Sequence, residues 1–358
     1  MALAAGALLV VIVAGAIYLR GTSSALPSPT VKRDDVTLDF VTYDFTSPTV
    51  AWALIFSRDQ SGGFSVSQTI DGGKHWQTRL SRSRSQTGNS PVVRFFDAKR
   101  GFVAAGDGQL YRTADGGATW KILALPETTN SYLGFSDARR GWLMTPMSRP
   151  AGQPVHLYAT EDAGESWKKL PDPPVESALF AFRRTSEAWV ASRESQSPRV
   201  YRSVDGGLSW QPRDIPVEKA ISGTGPWTTF VVLLPGDGLV ASASCYCPVV
   251  AEGNFTSFDG GATWQVLPQA PGRGQRFVAY ADDVNWWTIY GTIYRSSDAG
   301  QTWARASDNL VALNWQFQPR AVDAKHAWAQ IGVDAGYGLA TTADAGLHWA
   351  RVKVPQFT

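Results

Sequence analysis

Seven aspartates in this chain share one local setting. A carboxylate repeated in fixed surroundings is either a set of acids and bases or a set of turns. They are Asp71, Asp115, Asp162, Asp205, Asp259, Asp298 and Asp344, each within Ser/Thr-x-Asp-x-Gly-x-x-Trp. Glycoside hydrolysis needs two carboxyl groups facing each other across a substrate, roughly 5 to 9 Å apart. One aspartate every 39 to 54 residues, always near a hydroxyl residue and a glycine, reads instead as turn structure, because Asp and Ser/Thr side chains accept hydrogen bonds from nearby backbone. The other reactive side chains are few. Cys245 and Cys247 are too few for a four-cysteine zinc site or a disulfide framework, and as a C-x-C pair they form either a loop disulfide or two thiols. His75 and His348 lie inside the aspartate motifs and His326 in a turn. The Gly-Gly pairs belong to the same motifs and open no helix, so no phosphate loop is indicated. No metal and no cofactor are expected.

The elements that must carry these motifs follow from their period. The second residue after each Asp is Gly in all seven copies, where the backbone turns left-handed. The residue between is Gly four times and Ala three times, which reads as a position that tolerates negative φ. Trp then opens the next strand and buries a large ring, so Trp120→Ala is expected to cost roughly 3–5 kcal/mol if that ring is buried. A second element repeats in phase: Asp97 to Phe102 and Asp137 to Trp142, with Trp52, Trp189, Leu239, Trp287 and Trp328 in the same register. Each copy thus holds four short strands, A to D, with the A–B turn before the aromatic and the C–D turn at the aspartate. Four strands in each radially repeated unit is the signature of a β-propeller. The fold expected is an all-β, seven-bladed β-propeller over residues 36–358. Residues 36–40 and 41–45 alternate in opposite phases, so the first stretch is expected to clip onto the last blade.

A segment of different character precedes it. Residues 2–19 are uncharged, and eighteen residues of helix span about 27 Å, close to the thickness of a bilayer core. Residues 1–20 are read as a transmembrane anchor or signal segment and 21–35, rich in Pro and Ser, as a linker. Arg20, Lys32 and Arg33 follow the segment, an arrangement that by the positive-inside rule favours a cytoplasmic location. Export is nevertheless expected, with the propeller outside the cytoplasm, or secreted if cleavage follows Ala25. The 33 Lys+Arg against 31 Asp+Glu give a net charge of +2, which argues against nucleic acid as a partner.

The Ser/Thr-x-Asp-x-Gly-x-x-Trp motif is similar to the Asp box, or bacterial neuraminidase repeat. Leu110 to Trp120 (LYRTADGGATW) resembles the repeats of the photosystem II stability/assembly factor family. That resemblance implies a single seven-bladed propeller that serves as a binding scaffold in membrane-protein assembly and is not an enzyme. Sialidases share the box. Their site would need three arginines, a tyrosine nucleophile with its glutamate, and an acid aspartate. The Arg-Ile-Pro signature is absent, and no strand-A arginines aimed at the centre are read from the sequence.

Strand order assigns loops to ends. D–A and B–C loops share one end, A–B and C–D turns the other. The D–A end carries Arg82, Arg84, Arg273, Arg276, Trp315 and Arg320, of types enriched in interface hot spots. The other end carries Lys99, Arg100, Arg139, Arg140, Arg183 and Arg184. The expected function is a membrane-tethered, non-enzymatic, monomeric scaffold for a protein partner such as a membrane-complex subunit. The rival is a carbohydrate-binding or glycoside-hydrolysing propeller using Trp227, Trp286 or Trp315 as stacking platforms.

Overall fold

The computed structural model describes residues 40–57, 63–83, 91–127, 131–145, 155–175, 178–183, 186–192, 197–217, 226–245, 251–271, 278–290, 292–307, 320–333 and 336–357. The expected membrane segment and linker lie outside them. Among the described residues no helix is long and apolar enough to cross a membrane.

The described residues form seven four-stranded antiparallel sheets, each built from four consecutive strands. Blades 1 to 7 span residues 40–82, 92–124, 132–170, 178–214, 227–267, 278–307 and 320–352. Phe40 pairs with Phe56 inside blade 1; the remainder of the stretch expected to clip onto the last blade is outside the described residues. The seam between blades 7 and 1 is closed by the tail after the last strand. The Lys353 amide donates to the Gly73 carbonyl at 3.0 Å, and the Trp76 indole donates to the Lys353 carbonyl at 2.8 Å. Val354 is buried with Ala51, Trp328 and Leu339, and Phe357 packs on Val41, Ala53 and Ile55. Removing residues 353–358 is therefore expected to lower the unfolding midpoint and loosen blade 1, read by hydrogen exchange in strand Phe40–Phe45.

The core lies between the blades, because each sheet has two apolar faces and must bury both. Every seam has its own cluster. In four seams the aromatic second residue of one blade's B strand stacks on the last A-strand ring of the next blade. The pairs are Trp52 on Phe95 (3.6 Å between centroids), Phe102 on Phe135 (3.8 Å), Trp142 on Phe182 (3.9 Å) and Trp328 on Phe45 (4.9 Å). The last of these runs across the closing seam. The deepest indoles are those of Trp52, Trp189, Trp286, Trp287 and Trp328, all on B strands. Trp120 and its box counterparts are only half buried, which corrects the expectation that the box tryptophan buries its ring.

Each box is a hydrogen-bonded knot. In blade 2, the Thr113 hydroxyl donates to Asp115 Oδ1 at 2.9 Å and accepts from the Gly117 amide at 2.8 Å. Asp115 in turn accepts from the Thr119 amide at 2.9 Å and hydroxyl at 2.6 Å. The residue between Asp and Gly has positive φ even where it is Ala: 63° at Ala163, 58° at Ala299 and 61° at Ala345. The reading that this position tolerates negative φ is thus corrected, and the reason is visible. Turned this way, its amide reaches the A–B turn of the same blade, as in Ala163 to the Arg139 carbonyl at 2.7 Å and Ala345 to the Lys325 carbonyl at 2.8 Å. A non-glycine residue pays strain there. Ala163→Gly, Ala299→Gly and Ala345→Gly are each expected to stabilise the fold by about 0.5–1 kcal/mol, measured by denaturant unfolding.

Candidate binding surfaces

Since A and C strands run toward the boxes and B and D strands return, the sequence-based assignment of loops to ends holds for the described strands. Arg82 ends the outermost strand of blade 1 at the D–A end and is exposed. Arg84, Arg273, Arg276 and Trp315 lie outside the described residues. Arg320 opens the innermost strand of blade 7. The innermost and outermost rows are three strand spacings apart, about 14 Å, so Arg320 and Arg82 belong to different rows.

The register shows what Arg320 belongs with instead. It stands opposite Trp328, and the equivalent positions are Asp44 opposite Trp52 in blade 1 and Arg94 opposite Phe102 in blade 2. Three consecutive blades thus place Arg320, Asp44 and Arg94 on the inner row, while blades 3, 4 and 6 place Gly134, Ala181 and Ala279 there. Asp44 is buried. Its Oδ2 accepts from the Phe95 amide at 2.6 Å and its Oδ1 lies 3.6 Å from the Arg94 guanidinium. Across the ring, burial pushes the Tyr132 hydroxyl pKa up, and the positive charges of Arg320 and Arg94 pull it partly back. Arg94 of blade 2 and Arg320 of blade 7 thus stand on innermost strands on either side of blade 1, while the Tyr132 ring packs against Phe180 of blade 4. The reading that no strand-A arginine faces the centre is corrected; aligning A strands on the residue before the last would have found both.

Chemically, inner-row guanidinium groups can hold a carboxylate, as Arg94 does with Asp44 at 3.6 Å. Trp227 and Trp286 are buried in the seams, which removes them as stacking platforms. No three His, Cys, Asp or Glu side chains come together to hold a metal ion among the described residues.

At the opposite end the basic arc is divided. Lys99 is exposed, and Arg139 reaches the Glu161 carbonyl at 3.3 Å. Arg100 and Arg140 fold back on Asp97 and Asp137, at 2.7 and 3.4 Å. Arg183 is not part of an open arc. It pairs with Glu187 at 2.9 Å and donates to the carbonyls of Gly236 and Gly238 in blade 5. Arg184 lies outside the described residues.

The box aspartates are held as carboxylates. The Thr119 hydroxyl and amide bring Asp115 down to about 2, Ser166 does the same for Asp162, and Thr263 for Asp259. A carboxyl whose pKa is lowered by folding adds stability above its unfolded value near 4, and that stability is lost as the pH falls toward 2. The propeller is expected to keep its melting temperature from pH 7 to 5 and to lose stability between about pH 4 and 2. Tryptophan fluorescence during acid titration checks this.

Cys245 is buried and disulfide-bonded, and the sequence offers Cys247 as its only other cysteine. Of the two readings of this pair, the disulfide stands.

The family model described as Sortilin-Vps10, "Sortilin, neurotensin receptor 3", matches residues 65–197. No curated protein sequence matches the chain. Among solved structures the chain is similar to "YCF48 bound to D1 peptide", with 18% identity, a TM-score of 0.56, and coverage of 86% of this chain and 94% of that one. It is similar to YCF48 from Cyanidioschyzon merolae at 17% identity and TM-score 0.55, covering 86% and 96%. The β-propeller domain of the trilobed protease from Pyrococcus furiosus, described as having an open velcro topology, matches at 9% identity and TM-score 0.56, covering 90% and 99%. The chain is an Asp-box seven-bladed propeller whose fold is that of these proteins.

Proposed function

We propose that this chain is a non-enzymatic, membrane-tethered scaffold that binds a protein partner, with its propeller outside the cytoplasm. The observation that carries this reading is the placement of Arg94 and Arg320 on the innermost strands of blades 2 and 7. The arginines of the D–A end, Arg82, Arg84, Arg273 and Arg276, with Trp315, offer a second basic surface for an acidic segment of the partner, at the other end of the strands. The likeness in fold to YCF48 bound to D1 peptide supports a polypeptide as ligand and a membrane-complex subunit as its source. The disulfide at Cys245 supports an oxidising compartment, where such bonds persist. Protease added to intact cells should then digest the propeller; full protection would place it in the cytoplasm.

Affinity capture from detergent-solubilised membranes tests the reading. Wild type should retain a specific partner that is lost with Arg82→Glu/Arg84→Glu/Arg273→Glu/Arg276→Glu and with Arg320→Glu. Loss only with Lys99→Glu/Arg100→Glu/Arg139→Glu/Arg140→Glu would move the site to the other end. Glycan turnover, or glycan binding that survives both sets and vanishes with Trp315→Ala, would replace the scaffold by the carbohydrate reading.

A further inference from the structure

The box end of blades 4 to 6 differs from that of blades 2 and 3, while blades 1 and 7 each carry one exposed apolar box residue, Ile70 and Leu347. In blades 2 and 3 the two variable positions flanking the aspartate and glycine are Ala114 and Ala118, and Glu161 and Glu165. In blades 4 and 5 the corresponding positions hold Val204, Leu208 and Phe258, and these are 52%, 52% and 47% exposed. Val284, in the A–B turn of blade 6, is 43% exposed beside them. Contacts join Phe258 to the turns of blades 5 and 6 and tie the blade 5 box to blade 4. The Phe258 ring lies over Gly238, where an added Cβ would meet it at 2.7 Å. Gly238 and Gly236 donate their amides to Asp283, the neighbour of Val284. On the other side, the Gly260 carbonyl of the blade 5 box accepts from Arg213 of blade 4 at 3.2 Å.

The charge around the patch is mostly of one sign. Asp205, Asp237 and Asp259 are exposed within it, and Asp205 and Asp259 stay ionised with pKa values of about 2. Of the described cations at this end of blades 4 and 5, two are neutralised by a carboxylate and one, Arg213, keeps its charge. Arg183 and Arg202 both pair with Glu187, and Arg213 is held by Gly260 and Gln211. Half-exposed Val, Leu and Phe side chains grouped together mark an interaction surface rather than ordinary solvated residues. A ring of carboxylates selects a positively charged occupant and repels an anionic membrane.

We propose that this surface docks a basic, aliphatic-rich segment of a protein partner, at the same end of the strands as Arg94 and Arg320 but on other blades. The apolar side chains of the segment would cover Val204, Leu208, Phe258 and Val284, and its Lys or Arg side chains would meet Asp205, Asp237 and Asp259. The surface does not depend on Arg82 or Arg320, so failure here leaves the scaffold reading standing, and the converse holds.

Fluorescence anisotropy with a short labelled amphipathic peptide of Leu and Lys tests the proposal, beside the same peptide with Glu for Lys. Wild type should bind the Lys peptide and not the Glu peptide. Val204→Ser/Leu208→Ser/Phe258→Ser should weaken binding at least tenfold while every charge is kept. Val204→Ser/Leu208→Ser, which leaves the Phe258–Gly238 contact untouched, should weaken it severalfold at an unchanged melting temperature. Arg82→Glu/Arg320→Glu should leave it unchanged. Equal binding by wild type and the serine variants would overturn the proposal, as would equal binding of both peptides. Binding to phosphatidylcholine–phosphatidylserine vesicles that the serine variants abolish would also overturn it, in favour of a membrane surface.

Discussion

Trp189→Ala should cost roughly 3–5 kcal/mol, the range for removing a buried indole from a packed core. Trp189 is fully buried in the seam between blades 4 and 5, against Val200, Ile215, Trp227 and Leu239. Its indole donates to Glu187 at 3.1 Å, and the Arg202 guanidinium lies over its ring at 5.7 Å. The box of the next blade rests on it too, since a Cβ on Gly261 would meet the ring at 3.0 Å. The substitution therefore opens a cavity in a seam and strips a partner from Glu187, which is itself buried. Trp120→Ala should cost clearly less, because its ring is half buried and its main polar tie is to the Arg79 carbonyl at 3.0 Å. Urea unfolding of both variants decides; a larger loss at Trp120 would mean that the boxes, not the B strands, hold the seams.

Gly164→Ala should be among the most damaging single-methyl additions in the boxes, at about 2–4 kcal/mol. Two independent costs combine. Gly164 has φ of 84°, where an L side chain is strained by about 1–2 kcal/mol. The new methyl would also stand 2.5 Å from Leu110 Cδ2, and Leu110 is fully buried in the neighbouring blade. Overpacking of that kind costs roughly 1–3 kcal/mol more. Ala163→Gly, one residue earlier, acts in the opposite direction, so the two variants together separate backbone strain from packing. A neutral Gly164→Ala would show that the box can retreat from the blade it faces.

The sequence carried the repeat because Asp, Gly and Trp each answer a local demand. Asp71 to Asp344 close turns within five residues, so their spacing alone exposed seven blades. What it hid was relational. The stacking of Trp52 on Phe95 joins residues of two blades, and no local pattern announces it. Ala163, Ala299 and Ala345 looked permissive because Ala rarely adopts positive φ, and only the bond from each amide to the A–B turn explains why these three do. Arg94 and Arg320 sit 226 positions apart in the chain, and only the ring sets both on innermost strands on either side of blade 1. Arg183 looked like its neighbours in the basic arc, but its guanidinium is consumed by Glu187 and by the turn of blade 5.

The scaffold reading is tested most directly by calorimetric titration of the captured partner against wild type and Arg320→Glu, at low and at physiological salt. Arg320 makes no ion pair among the described residues and is exposed, so its reversal should leave the melting temperature within about 1 °C, as for a surface substitution. Affinity should fall at least tenfold in the variant. In wild type it should weaken as salt rises, because exposed charge pairs are screened over about 8 Å at physiological ionic strength. An unchanged dissociation constant in Arg320→Glu, together with binding indifferent to salt, would contradict a partner held by the arginines of this propeller.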